Sequence, residues 1–155
     1  MSKIIKWRDV KSERKGWLDK RTVLVGGCFE IFHFGHFKFL QQAKKQGNFL
    51  IVSLESDRFI QEKKNKNPIH NQIERAEILA AMEFVDVVIL LPYFKSDSDY
   101  FTMVFQIKPK VIAVTENDDQ INKKKTQAAV VNGKVITVTN LISGFSSSKI
   151  LKQTL

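Results

Sequence analysis

Apolar residues along this 155-residue chain fall into two recurring patterns. Short runs rich in Val, Ile and Leu, at residues 22–26, 49–54, 85–91, 111–114 and 135–138, read as strands buried on both faces. Between them apolar positions recur at helical spacing. Phe37, Leu40 and Ala43 make one such face, Ile73, Ile78, Leu79 and Met82 a second, and Tyr100, Phe101, Val104 and Phe105 a third. A further helix is expected over residues 120–131, and Asn132-Gly133 marks a turn. Gly47 suits the residue just past a helix end, and Asn67-Pro68 stops any helix begun after Ser56.

Five strands alternating with helices predict a single α/β domain. Its sheet is parallel and doubly wound, with right-handed crossovers that place helices on both faces. The domain is expected to span residues 21–155. Residues 1–20 carry Ile4, Ile5, Trp7, Val10 and Trp17 among charges and read as an amphipathic helical extension, the tryptophans being apolar anchors. Ligands of such sheets bind beyond the carboxyl ends of the strands, where His33, Thr115 and Ser146 would gather.

Composition narrows the partners. The net charge is +9 and the pI about 9.7. The lysines cluster at Lys63-Lys64-Asn65-Lys66 and Lys123-Lys124-Lys125, without the interleaved aromatics or the motif of a nucleic-acid binder. They are either solvated surface or a basic funnel for phosphorylated small molecules, and no nucleic-acid partner is expected. Cys28 is the sole cysteine, so no internal disulfide forms and a reducing cytoplasm fits. The first eight residues lack the apolar run of a signal peptide, and the longest apolar run, residues 87–91, is too short to span a bilayer. No membrane partner is expected.

Candidate chemistry concentrates after the first long strand, in Gly26-Gly27-Cys28-Phe29-Glu30-Ile31-Phe32-His33-Phe34-Gly35-His36. A strand, a glycine turn and a helix entrance point unpaired N–H groups and the positive end of the helix dipole at one spot, which favours an anion. Glycines there let ligand and backbone approach closely. Two imidazoles three residues apart can face the same anion and donate N–H to its oxygens, stabilising charge without nucleophilic attack. Near the other end of the chain, Gly144-Phe145-Ser146-Ser147-Ser148-Lys149 opens a last helix. Ser146 is either a structural N-cap or, with Ser147 and Ser148, part of a second anion cradle.

These residues carry a resemblance. Gly27-Cys28-Phe29-Glu30 with His33-Phe34-Gly35-His36 resembles the Gly-[Cys/Thr]-Phe-Asp and His-x-Gly-His signature of the cytidylyltransferase-like nucleotidyltransferases. Ala43-Lys44-Lys45-Gln46-Gly47-Asn48, Ser56-Asp57, the segment 74–82 around Arg75, and Gly144 to Ile150 follow in the same order. Within that superfamily the likeness is greatest to heptose 1-phosphate adenylyltransferase domains and then to glycerol-3-phosphate cytidylyltransferases.

The resemblance implies a Rossmann-like fold and an enzyme. In it a phosphate oxygen of the acceptor attacks the α-phosphorus of ATP, or of CTP, and pyrophosphate leaves. It implies that His33, His36, Arg75 and Ser147 act on the phosphates. Gly27, Cys28, Phe29, Gly35, Thr115, Asn117, Ser146 and Ser148 would line the nucleotide site, and Lys44, Lys63 and Lys66 would hold the acceptor's phosphate. Arg75 could instead pair with Glu74 or Glu77. Magnesium is expected on the triphosphate rather than on protein ligands. The chain departs from the relatives at Thr115-Glu116-Asn117-Asp118-Asp119 and at Leu141-Ile142-Ser143, and it has no arginine after Arg75. A FAD synthetase-like enzyme or a non-catalytic nucleotide-binding module would share the cradle. Relatives pair as homodimers, which Tyr93 and Phe94 would permit if exposed.

Overall fold

The computed structural model describes residues 2–139 and Lys152. Its sheet has six strands, all parallel: β1 (Ile4–Lys6), β2 (Thr22–Gly27), β3 (Phe49–Leu54), β4 (Val87–Leu90), β5 (Val111–Thr115) and β6 (Lys134–Thr139), in the order β1-β4-β3-β2-β5-β6. The expected five become six because Ile4–Lys6, placed in a helical extension by its apolar spacing, pairs with β4 as an edge strand. Helical turns do follow it: single 3-10 turns at Trp7–Asp9 and Arg14–Gly16 flank the short α1 (Val10–Glu13).

The connecting helices are α2 (Phe34–Lys44), α3 (Asp57–Lys64), α4 (Gln72–Ala80), α5 (Asp97–Ile107) and α6 (Ile121–Val130). Alternate strand residues face opposite ways, and each face has its own buried cluster. Val23, Val25, Leu50 and Val52 pack with Leu40 of α2 and Leu79 of α4. Leu24, Ile51, Ile89 and Ile112 pack with Val10, with Met103 and Val104 of α5 and with Ala128 of α6. The sheet is therefore doubly wound, as its apolar runs require.

Several local features depart from the sequence reading. α3 was hidden in a polar stretch: Ser56 accepts from the Phe59 N–H as its N-cap, and Asn65 in the left-handed region ends it. α2 stops at Lys44 with Lys45 as its cap, and Gly47 has no left-handed backbone to serve. A Cβ on Gly47 would lie 2.2 Å from the Arg21 carbonyl oxygen, so space demands glycine there. Phe94 is buried rather than exposed. Trp17 is fully buried, donates from its indole N–H to the Ile107 carbonyl at 3.2 Å and stacks on Phe49. It is the anchor its composition suggested.

β3 and β4 lie to one side of β2, and β5 and β6 to the other. The strand order thus reverses beside β2, and the crevice opens at the carboxyl ends of β2 and β5.

Candidate active site

Residues 28–33 connect β2 to α2 in a loop under strain. Phe29 and Ile31 hold φ of 47° and 51°, a left-handed conformation costing a non-glycine residue on the order of 1–2 kcal/mol. Two buried charges hold the loop in place. Glu30, 4% exposed, accepts from the backbone N–H of Ile69 at 2.9 Å and of His70 at 3.3 Å. Arg75, 1% exposed, donates to the carbonyls of Cys28 (2.7 Å), Glu55 (3.0 Å) and His70 (3.1 Å) and to the Asp57 carboxylate (2.7 Å), with Glu30 Oε2 at 3.8 Å. Its guanidinium faces backbone and carboxylates, not the crevice. The expected contact of Arg75 with phosphates is accordingly replaced by a structural one, because burial demands partners on every side of the fork. Glu74 and Glu77 are not those partners; Glu74 caps α4 by accepting from the Asn71 N–H.

The loop delivers two histidines to the start of α2. His33 is the N-cap: its Nδ1 accepts from the N–H of Gly35 at 3.0 Å and of His36 at 3.4 Å. His36 answers from the third helical position, its Nδ1 accepting from the His33 N–H at 3.3 Å. This is a capping box made of imidazoles. The rings stack with centroids 3.7 Å apart, and the His36 ring also meets Phe29 edge-on and a tilted Phe32, with centroids at 5.2 and 5.6 Å.

Capping settles the tautomer. A nitrogen that accepts a hydrogen bond carries no proton, so in the neutral rings both protons sit on Nε2. Burial lowers the His36 pKa to about 3, helped by His33 and the Lys64 ammonium, and burial also lowers that of His33. Both rings are therefore neutral Nε2–H donors near pH 7, standing at a helix N-terminus where the backbone already favours an anion.

On the α5 face of the sheet, with Gly26 of β2 in its wall, opens a cleft of about 830 Å³, between β2, β3 and β5 below and α3, α5 and α6 around it. Its rim carries Lys63, Lys64, Lys95, Lys123 and Lys124. Lys64 joins cleft to histidines, since its charge acts on both His36 and Cys28. At the back of the cleft Tyr100 donates to Glu55 at 2.8 Å. Glu55 is 7% exposed, its Oε2 has no hydrogen-bond partner among the described residues, and burial raises its pKa to about 7. Burial and the Glu55 charge push the Tyr100 hydroxyl well above its usual value.

The remaining candidates divide. Gly27 ends β2 and its carbonyl accepts from the Glu55 N–H at 3.0 Å; Gly35 donates to the His33 cap. Cys28 and Phe29, the first residues of the loop, are buried, burial raising the Cys28 thiol's pKa. Thr115 ends β5, and Asn117 takes a left-handed turn just beyond it. Lys63 lines the cleft; Lys66 lies past the end of α3 and does not line it. Lys44 is overturned as an acceptor ligand. It closes α2, about 12 Å from His36 and about 16 Å from His33 along the axis at 1.5 Å per residue, where it pairs with Asp86 and the Asn48 carbonyl at the amino ends of the strands. Ser146, Ser147 and Ser148 lie outside the described residues. Lys64, Glu55 and Tyr100 were not singled out by sequence; only the phase of α3, unseen there, would have set Lys64 apart from its neighbours.

Among the described residues no helix is long and apolar enough to cross a membrane, and no group of three or more His, Cys, Asp or Glu side chains could hold a metal ion. The sequence profile of the cytidylyltransferase-like family matches residues 24–153. The bifunctional protein HldE of Campylobacter fetus subsp. fetus is 36% identical over 135 residues, which cover 86% of this chain and 28% of that protein. The FAD synthase of Thermococcus sibiricus is 35% identical over 120 residues, covering 72% of this chain and 79% of that one. The chain thus spans little more than a quarter of the HldE relatives it matches. Two solved structures share the fold. The lipopolysaccharide core biosynthesis protein of Thermoplasma volcanium superposes with a TM-score of 0.61 at 23% identity over 79% of this chain and 97% of that one. The pantoate-beta-alanine ligase of Francisella tularensis does so with a TM-score of 0.69 at 18% identity over 98% and 73%. With the profile running from β2 almost to the last residue and His-x-Gly-His standing at the entrance of α2, the chain belongs to the cytidylyltransferase-like family of nucleotidyltransferases.

Proposed function

We propose that this chain transfers a nucleotidyl group from a nucleoside triphosphate, ATP before CTP, to the phosphate of a small acceptor and releases pyrophosphate. An acceptor phosphate oxygen bonds to the α-phosphorus as the bond to the β-phosphate's bridging oxygen breaks, and the electron pair leaves with pyrophosphate. No enzyme nucleophile is needed, because the acceptor is already ionised at neutral pH. Positioning and charge stabilisation carry the rate.

The observation that supports this most is the imidazole capping box. Rings held by their own helix start cannot rotate the Nε2–H bonds away, and such preorganised donors are worth most where charge develops. His33 and His36 would donate to the α- and β-phosphate oxygens, aided by the N–H groups opening α2. Ser147 and Ser148 would receive the pyrophosphate, with Ser146, Thr115 and Asn117 about the nucleoside. Lys63 and Lys64 would hold the acceptor's phosphate, and Arg75 would act by fixing the loop. Magnesium would arrive on the triphosphate as part of the substrate. A cytoplasmic enzyme working as a homodimer completes the reading.

The HldE relatives favour a sugar phosphate as acceptor, heptose 1-phosphate first and glycerol 3-phosphate next, and the Thermococcus relative favours the FAD synthase type. Pyrophosphate release from ATP and from CTP, each with a panel of phosphorylated acceptors, tests the activity. Release dependent on one acceptor supports it. Nucleotide binding without release from any pair would instead make the chain a binding module.

A further inference from the structure

Tyr100 of α5 is half-buried and lines the cleft, and its hydroxyl donates to Glu55 Oε1 at 2.8 Å. Glu55 stands behind it just past the end of β3, 7% exposed, and its Oε2 is buried with no hydrogen-bond partner among the described residues. The charged and titratable groups about this pair come from three elements. The Arg75 fork of α4 binds the Glu55 carbonyl and the Asp57 carboxylate rather than the Glu55 side chain, and its charge offsets only part of the burial. The Cys28 thiol of the histidine loop adds to both groups, with Lys64 of α3 in hydrogen-bond reach of that thiol, and Tyr93 is the other phenol near Tyr100. A carboxylate with one bare oxygen in such a place is costly, and taking up a proton relieves the cost.

That proton decides what Tyr100 shows the cleft. An ionised carboxylate only accepts, so it holds the phenolic hydrogen, leaves the cleft the oxygen's lone pairs and sets a negative charge behind them. A neutral carboxyl can donate to the phenolic oxygen instead, which frees the phenolic hydrogen for the cleft and removes the charge. The rim suits an anion in the second state. Of its five lysines, Lys123 is taken by Asp97 at 3.0 Å and Lys124 by Asp118 at 2.6 Å. Lys63 at the end of α3 and Lys95 ahead of α5 have no ion-pair partner among the described residues.

We propose that the cleft is an anion site in which the Tyr100 hydroxyl donates alongside Lys63 and Lys95, and that Glu55, acting through Tyr100, admits a phosphate-class dianion when neutral and turns it away when charged. Taken with the transfer reading above, on which only this step rests, that anion is the phosphate of the acceptor.

Sulfate tests the site on the full chain, by equilibrium dialysis at pH 6 and pH 8, because it stays a dianion at both and keeps the ligand's own titration out. The neutral fraction of a group titrating at about 7 falls about tenfold between them, so sulfate should bind about tenfold more tightly at pH 6. Glu55→Gln, uncharged at both, should raise the affinity at pH 8 to the parent's value at pH 6. Tyr100→Phe should weaken binding at pH 6 about tenfold or more, the loss of one hydrogen bond to a charged group, and Lys95→Gln should weaken it equally at both. In Tyr93→Phe, Tyr100 is the one tyrosine left of two, and its carbon-13 hydroxyl-carbon signal should move on adding sulfate at pH 6. A parent affinity independent of pH, or a Glu55→Gln variant that binds no better at pH 8, would overturn the control by Glu55. A Tyr100 signal unmoved by saturating sulfate would overturn the site. Sulfate binding as expected, without pyrophosphate release from ATP or CTP with any phosphorylated acceptor, would uphold the site and overturn the transfer. Release whose acceptor KM ignores both Tyr100→Phe and Lys95→Gln would leave the transfer standing and overturn the assignment of the acceptor's phosphate to this cleft.

Discussion

Arg75 Nη1 donates to the carbonyl oxygen of Cys28 at 2.7 Å across 47 residues of sequence, so a helix on one face of the sheet fixes where the histidine loop begins. The same guanidinium reaches Glu55, His70 and Asp57, and thereby ties α3, α4 and the end of β3 to that loop. Removing it leaves buried carboxylates without a counter-charge. Arg75→Met is expected to cost about 3–5 kcal/mol in urea unfolding, with Arg75→Lys intermediate because it keeps charge but not the fork. A stability unchanged in either variant would contradict the clamp.

His33 serves α2 as a cap and the crevice as a donor, and the two duties can be separated. Asparagine caps as well as any residue, so His33→Asn should leave stability within about 1 kcal/mol of the original. Its amide stops short of the imidazole's Nε2, and turnover should fall roughly 100- to 1,000-fold. Parallel thermal unfolding and pyrophosphate-release measurements check both. A variant that unfolds instead would mean that the ring's packing, not its Nδ1, carries the helix start.

Two buried groups give stability opposite pH dependences. His36 titrates at about 3 in the fold, below its ordinary 6.5. Its contribution is present above pH 6.5 and is lost as pH falls toward 3, because the unfolded chain takes up the proton first. Glu55 titrates at about 7 against an ordinary 4.5. Its contribution is full below pH 4.5 and is lost as pH rises through 7. Glu55→Gln should therefore gain stability over the parent between pH 5 and pH 8, while Tyr100→Phe, which leaves the carboxyl without its donor, should lose about 1–3 kcal/mol at pH 8 and less at pH 5. Urea midpoints at the two pH values decide it.

Lysines at opposite ends of the strands should behave oppositely. Lys64→Ala should raise the acceptor's KM about tenfold, the loss of one charge-assisted contact. Lys44→Ala should leave KM and kcat unchanged and cost about 1 kcal/mol of stability, since its partner is the half-buried Asp86. Steady-state kinetics of the two variants distinguish binding lysine from structural lysine.

What was legible in the sequence follows from what each signal depends on. The runs at 22–26, 49–54 and 111–114 are buried on both faces, so hydrophobicity alone finds them. Ile4–Lys6 is three residues at an edge, half-buried, and its spacing is shared with the helical turns that follow. The place of the histidines at a helix entrance was legible because the glycine turn and the spacing are local. Arg75 was misjudged because its partners, Cys28, Glu55 and Asp57, lie 18 to 47 residues away and only the fold brings them together. Lys44 was misplaced for a related reason: a helix carries its last residue back to the amino ends of the strands, which a motif read as a string does not register.

Nitrogen-15 NMR of the labelled imidazoles tests the central claim most directly, with His70→Gln used to remove the third ring. Both His33 and His36 should appear as neutral Nε2–H tautomers at pH 7, His36 should remain so at pH 5, and both Nε2 signals should shift when ATP is added. Nδ1–H tautomers, protonation of His36 by pH 6, or rings indifferent to the nucleotide would contradict it.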